Sequence, residues 1–264
     1  MSISLHILML PQWLAIFLLV AIAISFSIAG FLAVHRFVPV KVRQIHNDVA
    51  GFVFATLGVT YGVLLAFVVI VVWQQYYDAE ENVANESSTA LILYKNIAAY
   101  PDKTASNAME KAYLRYISQA VGEQNTLLAE RSFEGPTGAV NKLLGLIDNI
   151  VPDSEHEQIL YTQILQNLND LVKYRSLRHQ AAYEELPSSI WLALIVGAAV
   201  TISFTFLFGT ENVWAHIIMM SLLAALIAVV TYVVIELDHP STGAVNIGLP
   251  HSYSRILEFA KSQQ

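Results

Sequence analysis

The sequence contains no cysteine. Disulfides, thiol nucleophiles and thiolate metal sites are therefore excluded. Charge is also scarce. Asp, Glu, Lys and Arg make up 13% of the 264 residues, against about 25% in an average soluble chain. What charge there is leans acidic, with a formal net of −7. Between Gln74 and Pro187 stand 9 Lys and Arg against 16 Asp and Glu, a balance that argues against nucleic acid as a partner. Residues 1–10 carry no Lys or Arg. The first apolar run thus lacks a basic n-region and exceeds a signal peptide's core of about 7–15 residues, so it reads as a retained helix. A phosphate loop, a two-histidine helix motif and a nucleophile elbow are also missing. The chain is read as a non-enzyme, with no catalytic residue and no confidently assigned metal.

What the sequence does have is four long apolar segments, roughly Pro11–Val34, Val49–Trp73, Ser188–Gly209 and Val213–Ile235. A membrane-spanning helix needs about 20 mostly apolar residues. None of the four carries Asp, Glu, Lys or Arg in its middle. The fold class is therefore an all-α integral membrane protein, with four transmembrane helices in a 2+2 layout. A first transmembrane pair lies in residues 1–73, a soluble helical domain in 74–187, a second pair in 188–236 and a tail in 237–264.

Residues 35–48 form a short basic loop with His35, Arg36, Lys41 and Arg43. Pro39 separates it from the first span. The positive-inside rule puts this loop in the cytoplasm of a bacterial inner membrane and the insert outside. Lys173, Arg175 and Arg178, close to the third span, pull the other way.

The second span has no natural stop. Gln74-Gln75-Tyr76-Tyr77 suits interface height, and no Gly or Pro follows until Pro101. Ala79, Val83, Ala90, Leu93 and Ile97 continue at helical steps. One helix is expected from about Val49 to Ala98, roughly 75 Å long. The rest of the insert also reads as helices. Met109, Ala112, Tyr113, Tyr116, Ile117 and Ala120 form one stripe. Gly135-Pro136 opens a second helix containing Val140, Leu143, Leu144 and Ile147. Ser154 and Glu157 match a capping box before Leu160, Ile164, Leu168 and Leu171. In the tail, Tyr253, Ile256, Leu257 and Ala260 mark an amphipathic helix that packs on the insert or lies at the interface.

Four features could carry chemistry. Gly51, Ala55, Gly58, Gly62 and Ala66 share one face of the second span. Small residues let membrane helices approach closely, so the stripe is either a packing seam within one subunit or a face toward a pore or another subunit. Thr56, Thr60 and Tyr61 are read as bordering it, with the two threonines as polar lining. His46, Asn47 and Asp48 stand at the entrance. Second, only His216 is ionisable inside a span, which suits a passive pore better than a proton-coupled transporter or voltage sensor. Third, Glu236, Asp238 and His239 at the exit of the fourth span are either a solvated helix end or a divalent or regulatory site. Fourth, Lys173, Arg175, Arg178 and His179 read as a solvated face, or else as an anion-attracting vestibule.

The run His46-Asn47-Asp48-Val49-Ala50-Gly51 leads into Ala55-Thr56-Leu57-Gly58-Val59-Thr60-Tyr61-Gly62-Val63-Leu64-Leu65-Ala66-Phe67, with Trp73 beyond. It resembles the signature of a bacterial family of unknown function that carries a bestrophin-like domain. Glu236-Leu237-Asp238-His239-Pro240 and Gly243 resemble that family as well. The resemblance implies kinship with bestrophins, which are pentameric anion channels lined by their second helix and narrowed by phenylalanines. Phe52, Phe54 and Phe67 are available here. It also implies Ca²⁺ near a Pro-Phe-Gly sequence, where this chain has Pro240-Ser241-Thr242-Gly243 and no run of acids. The expectation is a homo-oligomeric ion channel in the bilayer, passing inorganic ions, anions more than cations. The alternative is a membrane-anchored receptor or scaffold whose helical insert binds a ligand or protein.

Overall fold

The computed structural model describes residues 7–127, 137–240, 242 and 247–262. Every regular element among them is a helix: α1 Gln12–Phe37, α2 Val40–Gln44, α3 Asn47–Ala99, α4 Lys103–Leu127, α5 Thr137–Asp148, α6 Glu155–Ala181, α7 Ser188–Thr205, α8 Val213–Leu237 and α9 His251–Ser262. Four of these, α1, α3, α7 and α8, are long and apolar enough to cross a membrane. The interval 35–48 is not the open loop expected. His35 and Arg36 finish α1, and Pro39 caps the short α2. Proline suits that position because a helix's first amides need no intrahelical partner.

The unbroken α3 is 53 residues long. Without Gly or Pro between Gly62 and Pro101, nothing interrupts its backbone ladder. The chain divides into two compact units, and α3 gives residues up to Tyr77 to the first and from Asp78 to the second.

In the first unit α1 packs on α8, and α7 packs on both. Its core holds Phe31, Tyr61, Ile202, Phe206, Met220 and Ala224. A second cluster joins Val68 and Val72 of α3 to Leu186, Leu194, Val234 and Leu237. Two glycines set the spacing. A methyl on Gly197 would sit 2.5 Å from the ring of Tyr61, and one on Gly209 would sit 2.5 Å from the backbone nitrogen of Gln44.

The second unit is a helical bundle built on the stripes read from the sequence. Leu93 and Ile97 of α3 meet Tyr113 and Ile117 of α4, Leu143 and Ile147 of α5, and Ile164, Leu168 and Leu171 of α6. Val140 and Leu144 are only partly buried, and Ala139 takes a core position instead. Gly135-Pro136 lies outside the described residues. The start of α6 is a modified capping box. Ser154 Oγ accepts from the Glu157 amide at 3.2 Å, but the Glu157 carboxylate reaches back to the Asp153 amide at 2.8 Å, one residue earlier than the usual partner. The tail helix α9 packs on α4, with Tyr253 and Ile256 buried in the core, so it lies on the bundle.

Candidate functional site

The membrane-length part of α3 has one covered edge and an open remainder. Tyr61, Val68 and Val72 are buried within the chain. By contrast, a Cβ placed on Gly51, Gly58 or Gly62 would meet no atom within 4 Å. The stripe is therefore not a packing seam within one subunit. Nor do its residues share a face with the threonines. At about 100° per residue, the glycines and Thr56 with Thr60 lie on opposite flanks of the covered edge, about 150° apart. Both hydroxyls bond to their own helix, Thr56 to the carbonyl of Phe52 at 3.2 Å and Thr60 to that of Thr56 at 2.9 Å. Tyr61 does not border an open stripe. Its ring is core and its hydroxyl donates to the carbonyl of Leu194 at 3.2 Å. Phe52 and Phe67 are 77% and 65% exposed. Phe54 is half-buried and packs against Phe204 and Phe208.

At the N-terminus of α3 the three entrance residues separate. His46 and Asp48 are exposed. Asn47 is a clamp: its amide nitrogen donates to the Gly209 carbonyl at 2.8 Å, and its side-chain oxygen accepts from the Gly209 amide at 3.0 Å. Arg43 beside it is buried. It donates to the carbonyls of Phe206 at 3.0 Å and Phe208 at 3.3 Å, and meets His35 Nδ1 at 2.9 Å. Those carbonyls lie at the end of α7, where a helix lacks internal donors and a guanidinium is well placed. Arg43 and Asn47 thus join the α2–α3 corner to the α7–α8 connection. His216 is buried too, with Nε2 3.1 Å from the Thr205 carbonyl and its ring against Phe31.

The exit of α8 is not a solvated helix end. Glu236, Asp238 and His239 are all buried. Asp238 accepts from the Leu186 amide at 2.7 Å and from the Trp191 indole at 3.2 Å. Burial pushes its carboxyl up, and those bonds oppose the shift. His239 lies within 4 Å of the carboxylates of Glu185 and Asp238, and Tyr232 bonds to Glu236. The carboxylates point at protein donors, and no group of three or more His, Cys, Asp or Glu among the described residues is placed to hold a metal ion. The cluster ties the end of α8 to the start of α7.

The basic run of α6 is solvated only in part: Lys173 is exposed, Arg178 and His179 are half-buried and Arg175 is buried. Arg178 Nε donates to Glu86 at 2.6 Å and a second guanidinium nitrogen does so at 3.2 Å. Glu86 has no exposed side-chain surface. The Tyr253 hydroxyl donates to the same carboxylate at 2.6 Å. Burial holds that phenol well above its ordinary range, so it stays a donor. Arg175 is buried with its guanidinium 5.4 Å from the centre of the Tyr116 ring. A sequence signal for these residues existed. Arg175 and Arg178 continue, at helical steps, the stripe formed by Ile164, Leu168 and Leu171, and Glu86 lies four residues before Ala90 on the apolar edge of α3.

Comparison with known proteins agrees with this architecture. The Bestrophin-like domain model matches residues 21–249. Among solved structures, a crystal structure of a point variant of a bacterial bestrophin homologue from Klebsiella pneumoniae aligns at a TM-score of 0.69 and 12% identity, covering 92% of this chain and 98% of that one. Another variant of that homologue aligns at 0.70 and 13% identity, covering 94% and 99%. Identity at that level carries the fold alone. No curated protein matches the chain in sequence. With a family model matched over most of its length, the chain belongs to the Bestrophin-like domain family.

Proposed function

We propose that this chain is the protomer of a homo-oligomeric ion channel in a bacterial inner membrane, with its 2+2 helices in the bilayer and α3 lining the pore. The observation that carries the reading is the open flank of α3. Gly51, Gly58 and Gly62 meet nothing in their own chain, on a helix whose other edge is packed. Apolar helix surface by itself is satisfied by lipid. A run of small residues is suited to another helix at close range.

A ring of protomers uses both flanks of α3. The glycine flank, with Ala55 and Ala66, meets the opposite flank of the next copy, a heterologous contact that closes when the rotation fits. The edge facing away from Tyr61, Val68 and Val72 then faces the axis. Thr56 and Val63 lie there with Phe52, and Thr60 stands at its margin. Val49–Trp73 carries no ionisable side chain apart from tyrosine. Ions passing it meet hydroxyls, aromatic edges and the positive N-terminal ends of the helices. That field favours anions, and Asp48 moderates it at the mouth. A pentamer is the assembly that kinship with bestrophins implies.

The test is flux through purified protein in liposomes, with chloride and potassium gradients applied separately, together with mass in detergent. The expected result is chloride-selective flux from a particle of about five chains. A monomer or dimer without flux would remove the channel and favour a receptor or scaffold built on the helical insert.

A further inference from the structure

We infer that His35 and Arg43 form an acid-sensitive latch at one corner of the first unit. The bond that ties the end of α1 to α2 holds while the imidazole is neutral and opens when the ring takes up a proton.

The chemistry of the pair leaves one arrangement. Arg43 Nη2 lies 2.9 Å from His35 Nδ1. A guanidinium has donors and no acceptor, and it keeps its proton. His35 Nδ1 must therefore present a lone pair, with the ring's proton on Nε2. A protonated ring would set an N–H against an N–H and one positive charge against another. Among the described residues no acid pairs with either side chain. The surroundings add cations rather than anions. His35 packs on the Phe31 ring at 5.4 Å, His216 of α8 packs on the same ring at 4.7 Å, and the Arg43 guanidinium lies 5.8 Å from its centre. Helix α7 has no ionisable side chain, and Arg36, Lys41, His46, Asp48 and Glu211 are exposed. Arg43 is held in place by its bonds to the Phe206 and Phe208 carbonyls, so the charged imidazole is the partner that leaves. It has somewhere to go. His35 stands in the last turn of α1, where unpaired carbonyls favour a cation.

The corner feels the loss because α2 is five residues long, and helices below about 12 residues are marginal without tertiary support. Side-chain ties supply that support: Arg43 on the end of α7, Asn47 on Gly209, and His35 on Arg43. Helix α3 begins four residues after Arg43. The latch therefore stands at the N-terminal end of the helix assigned above to the pore, and weak acid is the stimulus it answers. The latch itself rests on the hydrogen bond and not on the pore.

The experiment is hydrogen exchange, read by mass spectrometry, on the full-length protein in lipid nanodiscs at about pH 8 and about pH 5, which bracket the usual range of an imidazole. Rates are expressed as protection factors, which remove the intrinsic pH dependence of exchange. His35→Gln keeps an acceptor for Arg43 and does not titrate. His35→Lys carries its charge at both values. His216→Gln removes the neighbouring imidazole. In the parent, protection of the amides in residues 38–46 should fall about tenfold on acidification, as loss of a bond to a charged group predicts. His35→Gln should stay protected at both values, His35→Lys should be open at both, and His216→Gln should respond like the parent. Protection that is unchanged in the parent would overturn the latch. So would a His35→Gln protein that opens in acid as the parent does, or a His35→Lys protein that is fully protected at pH 8. A response abolished by His216→Gln would overturn it in favour of the other histidine. His179 lies outside the measured segment, and no readout depends on ion flux, so failure of the latch and failure of the channel are seen separately.

Discussion

Replacing Arg178 with Met should be among the most damaging single changes in the second unit. Glu86 is fully buried, and three hydrogen bonds hold its carboxylate, two of them from Arg178. Arg178→Met leaves a buried charge supported by Tyr253 alone among those donors. Breaking such a pair costs about 3–5 kcal/mol, a large part of the roughly 5–15 kcal/mol that separates folded from unfolded chains. In a protein of this size that corresponds to a fall in melting temperature of roughly 10 °C. Adding Glu86→Leu should recover most of the loss, because removing both charges also removes both desolvation costs. Tyr253→Phe removes one bond to a charged acceptor and should cost about 1.5–3 kcal/mol. The assay is unfolding in mild detergent, paired with hydrogen exchange over residues 78–181 and α9, where the loss should concentrate. An Arg178→Met protein within about 1 kcal/mol of the parent, or a double variant no better than the single one, would refute the reasoning.

Other perturbations follow from the same contacts. Burial, then Arg178 and Arg175, depress the His179 imidazole to about 4. The folded state prefers it neutral while the unfolded chain takes up a proton near its ordinary value, so its contribution to stability is lost as pH falls from about 6.5 to 4. His179→Gln should flatten that part of a melting-temperature profile. Gly209→Ala places a methyl 2.5 Å from the Gln44 nitrogen and 2.8 Å from the Val40 carbonyl, and should lower the yield of folded protein, whereas Gly58→Ala, facing open space, should leave the melting temperature of the protomer unchanged. Gly58→Leu should abolish assembly or flux, read by mass in detergent and by liposome uptake. Asp238→Ala orphans the Leu186 amide and the Trp191 indole, at about 1–3 kcal/mol for each donor that stays dry; tryptophan fluorescence during unfolding reports it.

How much of this was legible depended on distance along the chain. The long α3 was readable because helix continuity is local: no breaker separates Trp73 from Pro101. The stripes of α4 and α6 were readable for the same reason. Arg43 and Asn47 were not, since their partners lie more than 160 residues away. A basic residue near an apolar segment looks like a membrane-edge charge until the carbonyls it caps are known. Glu236, Asp238 and His239 were visible as a cluster, but the hydrogen bonds of Asp238 to Leu186 and Trp191 depend on how α7 meets α8. The glycine stripe was legible as a pattern, and only the packing of Tyr61, Val68 and Val72 showed that its flank stays uncovered. Arg175 and Arg178 look solvated when judged by charge, yet their position continues the stripe from Leu168 and Leu171, and position decides.

The pore assignment can be tested in a chain that has no cysteine of its own. Single cysteines at Thr56 and Val63 on α3, and at the exposed Leu222 on α8, are reconstituted in liposomes, and chloride flux is followed while a charged thiol reagent is added. If α3 lines the pore, the reagent suppresses flux through Thr56→Cys and Val63→Cys and leaves Leu222→Cys untouched. Full labelling of Thr56→Cys and Val63→Cys with flux unchanged would contradict it.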